Sequence, residues 1–378
     1  MKRVRDIAIV GAGPIGSYTA YQFAERGYTV SLFDSQKQIG KDVICAGVIG
    51  KSAFQRYDLP AESILERISS VNLLAPSGQR LEYDPHEVFA YIVDRDVFDQ
   101  GLFQQAKKSG VEIHLGKKIT KLSKQNKYWE LKAGRIIYRA KYVILATGIN
   151  FQLHHCAGLS KPAKFLYGSQ IELPGIHPHN LVHIYMSRSF APGSFGWVVP
   201  AGNSIRIGLI LSRKGKNWLK KMLEHLKYSA AGIDRAIKVK PIVFGPIARS
   251  AGDHIIALGE AAGQIKTTTG GGIFYGLLSS EIALDKIEKS IKGNGDLMDY
   301  DLTWRSAFAS ELDIGVRLRK IANQVNDKDI EKLFAFVKKH RFWVDLLMPR
   351  INFDFHSNFM YFCIKSFSSL LNIREEKN

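Results

Sequence analysis

Three glycines and one aspartate near the N-terminus have the types and spacing to hold a diphosphate. Gly11-Ala-Gly13-Pro-Ile-Gly16 follows the apolar run DIAIV, and Asp34 closes a second run, YTVSLF. Gly11 permits a tight turn, Gly13 admits a pyrophosphate against the backbone, and Gly16 lets helix and strand pack closely. The helix N-terminus then faces the phosphates and Asp34 accepts from the adenosine ribose. This fingerprint suits FAD and NAD alike. A second glycine-rich stretch, GEAAGQIKTTTGGGIFYG at 259–276, holds a carboxylate, Glu260, and three threonines. Cys45 in VICAG is a thiol among small residues, suited either to acid–base work or to plain packing. His177, His179 and His183 in HPHNLVH are metal-ligand types. Pro178 and the turn-rich setting point instead to a surface loop, and no metal is expected. His154 and His155 are adjacent, so on a strand they face opposite ways.

These residues need elements to position them. Residues 7–10, 28–33, 111–115 and 142–146 read as strands of a parallel sheet, the last stopping at Thr147-Gly148. A helix should enter after 91–94, with Val97, Leu102 and Ala106 on its apolar face. Residues 117–120, 129–132 and 136–140 suggest a small meander. From about 158 to 244, short β-type runs at 165–173, 181–186, 196–200 and 205–211 are broken by Pro and Gly, the pattern of an antiparallel sheet. A basic helix is expected at 214–226. The parallel type returns at 255–258, and the chain from Tyr300 onward reads as helical.

The 378 residues exceed one ordinary core and suit two interlocked lobes. Three dispersed cysteines, Cys45, Cys156 and Cys363, argue against a disulfide framework or a zinc site and for a reducing compartment. Residues 1–5 show no signal-peptide pattern, and charges interrupt every apolar run before it could span a bilayer. The expected setting is cytoplasmic, peripheral on the inner face of the cell membrane. Fifty-three Lys and Arg against 35 Asp and Glu give a formal charge of +18. Such a balance favours an anionic lipid surface or an acidic protein; no nucleic-acid motif is present.

In order, the motifs are GAGPIG, Asp34, VICAG, VDRDVFDQGL, ATG, APGSFGWVVP, and GEAAG with TTGGGIFYGLLSSEIA. Together they resemble the geranylgeranyl reductase family of FAD-dependent flavoproteins, over residues 5–290. The resemblance implies an α/β fold like that of p-hydroxybenzoate hydroxylase. Its Rossmann-type FAD lobe is assembled from 1–68, 93–157 and 245–299. An antiparallel-sheet substrate lobe comprises 69–92 and 158–244, and a helical C-terminal region 300–378. It implies reduction of C=C bonds in isoprenoid chains. Gly11, Gly13, Gly16 and Asp34 match the ADP end of FAD; Arg95 matches an arginine along the cofactor. Gly259 and Glu260 match a Gly-Asp pair on the ribityl chain, with Gly263 closing that turn, and Glu260 is one methylene longer than the usual Asp. Gly270, Gly271 and Gly272 match the turn beneath the flavin ring. Cys45, Ala46 and Gly47 match a loop near its face, and Thr147 and Gly148 of ATG are further cofactor-binding candidates. Pro192, Phe195, Trp197 and Pro200 match a lipid-pocket box in which Phe195 replaces Tyr and Val199 replaces Phe. Many relatives carry Asp-Gly where this chain has Ala146-Thr147-Gly148.

Such chemistry requires a dry, apolar site with one proton source, and Cys45 is the candidate, as proton donor or as a gate to the flavin. Phe165, Phe190, Phe195 and Trp197 are candidates for the pocket wall. The reductant is expected to be NADPH or an acidic, ferredoxin-like protein. Phe334, Phe336, Phe342, Trp343, Leu346, Leu347, Phe359, Tyr361, Phe362 and Phe367 alternate with basic residues, which suits either a membrane-surface helix or packing on the flavoprotein. The rival activities are a monooxygenase or halogenase on the same lobes, or a prenyl-lipid carrier without redox work.

Overall fold

The computed structural model describes residues 3–229, 232–342 and 352–356. Its first strand, Arg5–Val10, pairs in parallel with Val30–Phe33 on one side and Ile136–Leu145 on the other. Ile7, Ile9 and Leu32 are fully buried, as a central parallel strand covered on both faces requires. Glu112–His114 and Ile255–Ala257 extend the sheet at its two sides. The strands expected separately at 136–140 and 142–146 are one ten-residue strand. Its first half pairs antiparallel with Trp129–Ala133, and its second half pairs in parallel with Arg5–Val10. The meander therefore grows directly out of the nucleotide sheet, and its outer strand is Lys121–Lys124 rather than 117–120.

Helix Arg95–Lys108 is capped by Asp94, whose side chain accepts from the amides of Asp96 and Val97. Its buried face carries Phe98, Leu102, Phe103 and Ala106, packed against helix Pro14–Glu25. Val97, expected on that face, is exposed. Phe98, one residue and about 100° further round, takes the core position.

The second sheet runs in the order Lys238–Val243, Phe165–Pro174, Ser204–Leu211, Gly196–Ala201, Leu181–Tyr185, Ser70–Leu74, Arg80–Tyr83. It is antiparallel except where Leu181–Tyr185 meets Ser70–Leu74. Helix Lys216–His225 covers it through Leu219, Met222 and Leu223. A three-stranded sheet of Val48–Gly50, Ala90–Val93 and Ile64–Ile68 lies between the two.

Helices Ile273–Ile291 and Asp299–Gln324 bury Tyr275, Tyr300, Trp304 and Phe308 in the nucleotide-lobe core. Helix Asp327–Lys339 opens on a capping box between Asn326 and Asp329. It seats Ile330 and Phe334 against Ala75 and Leu81 at the edge of the second sheet. Phe334 is therefore packing, whereas Phe342 is exposed. Trp343, Leu346, Leu347, Phe359, Tyr361, Phe362, Phe367 and Cys363 lie outside the described residues. Among the described residues, no helix is long and apolar enough to cross a membrane.

Candidate functional site

A cleft of about 980 Å³ lies between the parallel and antiparallel sheets, with both glycine turns on its wall. The first turn is shaped by backbone crowding. A Cβ on Gly11, at φ +108°, would sit 2.2 Å from the Ala146 carbonyl, and one on Gly16 would sit 1.8 Å from the Gly11 carbonyl. A Cβ on Gly13 would meet nothing within 4 Å, so this glycine faces open cleft. The helix then begins at Pro14 with no side-chain cap and no acid in its first turn, leaving its amides available to an anion. Asp34 accepts from the Ala12 amide at 2.7 Å and the Gln36 amide at 2.8 Å, with carboxylate lone pairs to spare.

The second turn follows strand Ile255–Ala257. Gly259 sits at φ +60°, and its amide donates to the Gln264 side chain at 2.7 Å. Glu260 faces the cleft and accepts from Lys240, which reaches across from the antiparallel sheet at 3.1 Å. Further on, the Lys266 amide donates to the Gly271 carbonyl and the Gly270 amide to the Lys266 carbonyl, closing a loop. Arg319 grips this loop from helix Asp299–Gln324, donating to the carbonyls of Thr267 at 3.3 Å and Thr268 at 2.7 Å, and to Ser194 Oγ at 2.9 Å. Burial pushes the Arg319 guanidinium down to about 10. Gly315 allows this approach, since a Cβ there would lie 2.2 Å from Thr267 Oγ1. Helix Ile273–Ile291 starts at the end of the loop, again uncapped and with no acid in its first turn.

Between the turns stands Cys45. Burial alone would raise its thiol; the neighbouring Arg95 guanidinium, the Gly47 amide at 3.4 Å and Lys240 bring it below the ordinary thiol value. Arg95 is held by a bidentate pair with Asp99, both bonds 2.9 Å. Gln170 donates its amide to the Cys45 carbonyl at 3.1 Å, which fixes its orientation and leaves Oε1 buried without a partner on the cleft wall. The indole N–H of Trp197 is likewise unpartnered.

Beyond Cys45 the cleft becomes apolar. Strand alternation turns Val71 and Leu73, Val182 and Ile184, and Trp197 and Val199 toward it. Register places Leu73, Ile184 and Trp197 in one row and Val71 beside Val182 in the next. Trp197 lies over Gly208, where a Cβ would come 2.3 Å from its ring.

Of the residues singled out in the sequence, Gly11, Gly13, Asp34, Cys45, Ala46, Arg95, Thr147, Gly148, Gly259, Glu260, Gly270, Gly271, Gly272, Phe195 and Trp197 line this one cleft. Gly16, Gly47 and Gly263 stand behind it, where a Cβ would strike the backbone of Gly11, Val93 and Gly245. Phe165, Pro192 and Pro200 do not line it. Pro200 is one residue out of phase with Trp197 and Val199. Phe165 packs near Phe151, with ring centroids 6.1 Å apart. The loop after Pro192 lies against helix Asp299–Gln324, where a Cβ on Gly193 would be 1.9 Å from Asn323 Oδ1. Phe190 is buried in the core beneath helix Lys216–His225.

The three histidines of HPHNLVH do not converge. His177 and His183 meet edge to face at 4.8 Å, while His179 pairs with Glu66 at 2.9 Å. Among the described residues, no group of three or more His, Cys, Asp or Glu is arranged to hold a metal.

Sequence reasoning missed Gln170, Lys240, Lys266, Arg319, Asp354 and His356. Asp354 and His356 come from a short segment, 352–356, that forms a wall of the cleft. Asp354 pairs with Lys266 at 2.8 Å, and Thr268 bonds His356 at 3.0 Å. Each is a single polar residue far along the chain from its partner, so no local pattern marks it.

The arrangement fits FAD. An extended cleft joins an open diphosphate cradle at Gly13 to a second helix N-terminus, and the buried, unpartnered Gln170 Oε1 stands on its wall. The family model for pyridine nucleotide-disulphide oxidoreductases matches residues 5–172. The chain is 28% identical over 353 residues to the digeranylgeranylglycerophospholipid reductase of Methanocaldococcus jannaschii, covering 87% of this chain and 90% of that protein. Among solved structures it resembles a geranylgeranyl bacteriochlorophyll reductase-like protein from Thermoplasma acidophilum, with TM-score 0.80, 20% identity and coverage of 89% and 91%. It also resembles the flavin-dependent brominase Bmp2, with TM-score 0.71, 16% identity and coverage of 97% and 100%.

Proposed function

We propose that this FAD-dependent oxidoreductase, a relative of the digeranylgeranylglycerophospholipid reductases, saturates C=C bonds in geranylgeranyl-type chains of membrane lipids. The observation that carries the reading is one continuous cleft, polar and glycine-turned at one end and floored by two rows of apolar side chains at the other. The reductase relatives span both lobes. The likeness to the brominase extends to fold alone, and Gly196-Trp197-Val198-Val199-Pro200 has one tryptophan where halogenases carry a Trp-x-Trp box.

Bound FAD, once reduced, supplies the hydride. The chain supplies the rest. Gly13 and the helix after it take the diphosphate, Asp34 the adenosine ribose, and Glu260 the ribityl chain. Val71, Val182, Ile184 and Val199 exclude water and align the prenyl chain. An isolated alkene accepts hydride poorly unless its other carbon is protonated in the same event. Cys45 is the proton donor. Arg95 makes the thiol a stronger acid and stabilises the thiolate left behind. Cys45→Ser should keep FAD and its reduction by dithionite while losing at least about tenfold in prenyl reduction, about 1.4 kcal/mol of barrier. Unchanged turnover in this variant removes Cys45 from the chemistry.

The same reading assigns 1–68, 93–157 and 245–299 to the flavin lobe and 69–92 and 158–244 to the substrate lobe, and the positive charge of the chain suits an anionic membrane surface. Electrons come from NADPH or from an acidic ferredoxin-like protein, and anaerobic reduction by each in turn separates the two. The decisive experiment compares lipids of cells with and without the protein by mass spectrometry. Loss of the protein should shift prenyl chains by steps of two hydrogens; unaltered saturation rejects the function.

A further inference from the structure

Lys266 and Asp354 form the most deeply buried carboxylate–ammonium pair on the cleft wall. Their side chains are 7% and 3% exposed and 2.8 Å apart. Lys266 also donates to the Phe353 carbonyl at 2.8 Å and lies 4.4 Å from the centroid of the Phe353 ring. Asp354 accepts from Ser52 through its other oxygen, and its carbonyl accepts from Tyr275. A buried pair of this kind adds little net stability over apolar side chains of equal volume, so its presence asks for another account. Location supplies one. Lys266 begins the loop that ends in Gly270, Gly271 and Gly272, and its stem passes 3.9 Å from where a Cβ of Gly271 would stand. Its ammonium is thus a full positive charge added to the free amides that open helix Ile273–Ile291. His356 adds no second charge. Burial, and then the Lys266 charge, hold it below its ordinary value, so the ring is neutral at pH 7; Nδ1, facing the Phe353 carbonyl, carries its one proton and Nε2 accepts from Thr268.

We infer that the Lys266–Asp354 pair sets the reduction potential of the bound flavin, Lys266 favouring the negative charge gained on reduction and Asp354 limiting that effect. The inference rests on FAD lying along both glycine turns, as proposed above. Removing a cation from a site of low dielectric disfavours an added negative charge, and removing an anion favours it. The two partners must therefore act with opposite sign.

The test measures FAD content first, then midpoint potential by equilibration with redox dyes, in wild-type, Lys266→Met, Asp354→Asn and the double variant. Lys266→Met should lower the equilibrium constant for reduction at least tenfold, about 30 mV for a two-electron couple, and Asp354→Asn should raise it by a similar factor. The double variant should fall between. Wild-type protein that binds no FAD refutes the cofactor reading itself. Variants that hold FAD at the wild-type potential, or shift it in the same direction, overturn the inference alone. Should Lys266→Met lose its flavin, Asp354→Asn still decides: a positive shift supports the pair's role, and no shift or a negative one rejects it.

Discussion

The two glycine-rich turns do related work by different physical means. The first is shaped by backbone alone: Gly16 is demanded by the carbonyl of Gly11, and Gly11 by its φ of +108° and by the carbonyl of Ala146 at the end of the neighbouring strand. The second is shaped from a distance. Its Thr267 and Thr268 carbonyls are held by Arg319, its flank is admitted by Gly315, and Lys266 is pinned by Asp354. A turn made by its own backbone can be recognised in any sequence; a turn made by borrowed side chains depends on everything that delivers them.

The largest effect expected from this contrast lies inside the first turn. Gly16→Ala places a methyl carbon where the Gly11 carbonyl stands, and the structure has no backbone-free route for it. It should cost about 3 kcal/mol or more and abolish FAD binding. Gly13→Ala puts the same methyl into open cleft. Its melting temperature should stay near wild type, a change within about 0.5 kcal/mol, while FAD affinity falls about tenfold or more. Calorimetry and flavin titration on the pair check this. Equal destabilisation of both variants would mean that Gly13 is structural rather than a cofactor cradle.

Arg319→Met should come next and strike the second turn alone. It strands the buried carbonyl of Thr267 and the part-buried carbonyl of Thr268, a loss of about 1–3 kcal/mol. FAD should bind more weakly, while AMP, which needs only the first turn and Asp34, should bind as before. If AMP and FAD weaken together, the two turns are not independent.

The same contrast explains what the sequence made legible. The fingerprint, the parallel strands of the nucleotide lobe and the antiparallel texture of 165–211 are local patterns, and the structure carries them with small shifts of boundary. Val97 is exposed because a one-residue shift in helical phase turns a side chain to another face, and Pro200, which came with the family box rather than from strand phase, alternates away from the cleft. Lys240, Lys266, Arg319 and Asp354 carry no local signal. As charges in a chain with a formal +18, they look like ordinary surface residues until the fold buries or pairs them. Gly315 sits within a long helical pattern, where nothing but the approach of Thr267 explains it.

The smallest expected effect concerns pH, and it again separates the turns. Burial, and then the Lys266 charge, hold His356 below its ordinary value of 6.5. The unfolded chain therefore binds a proton more readily than the folded one between that value and the lower folded one. Stability contributed by neutral His356 is present above about pH 6.5 and declines as pH falls through this window. Protonation also removes the Nε2 acceptor from Thr268, so the loss is directed at the second turn. His154, His177 and His183 are lowered by burial as well and tilt the whole molecule the same way, so the signal is the difference from a variant. In His356→Asn, which cannot titrate, FAD affinity should fall less between pH 7 and pH 5 than in wild type, with AMP affinity following one curve in both. Parallel FAD curves for the two proteins would show that Thr268 does not need the neutral imidazole, and that the second turn is held by Arg319 and the Lys266–Asp354 pair alone.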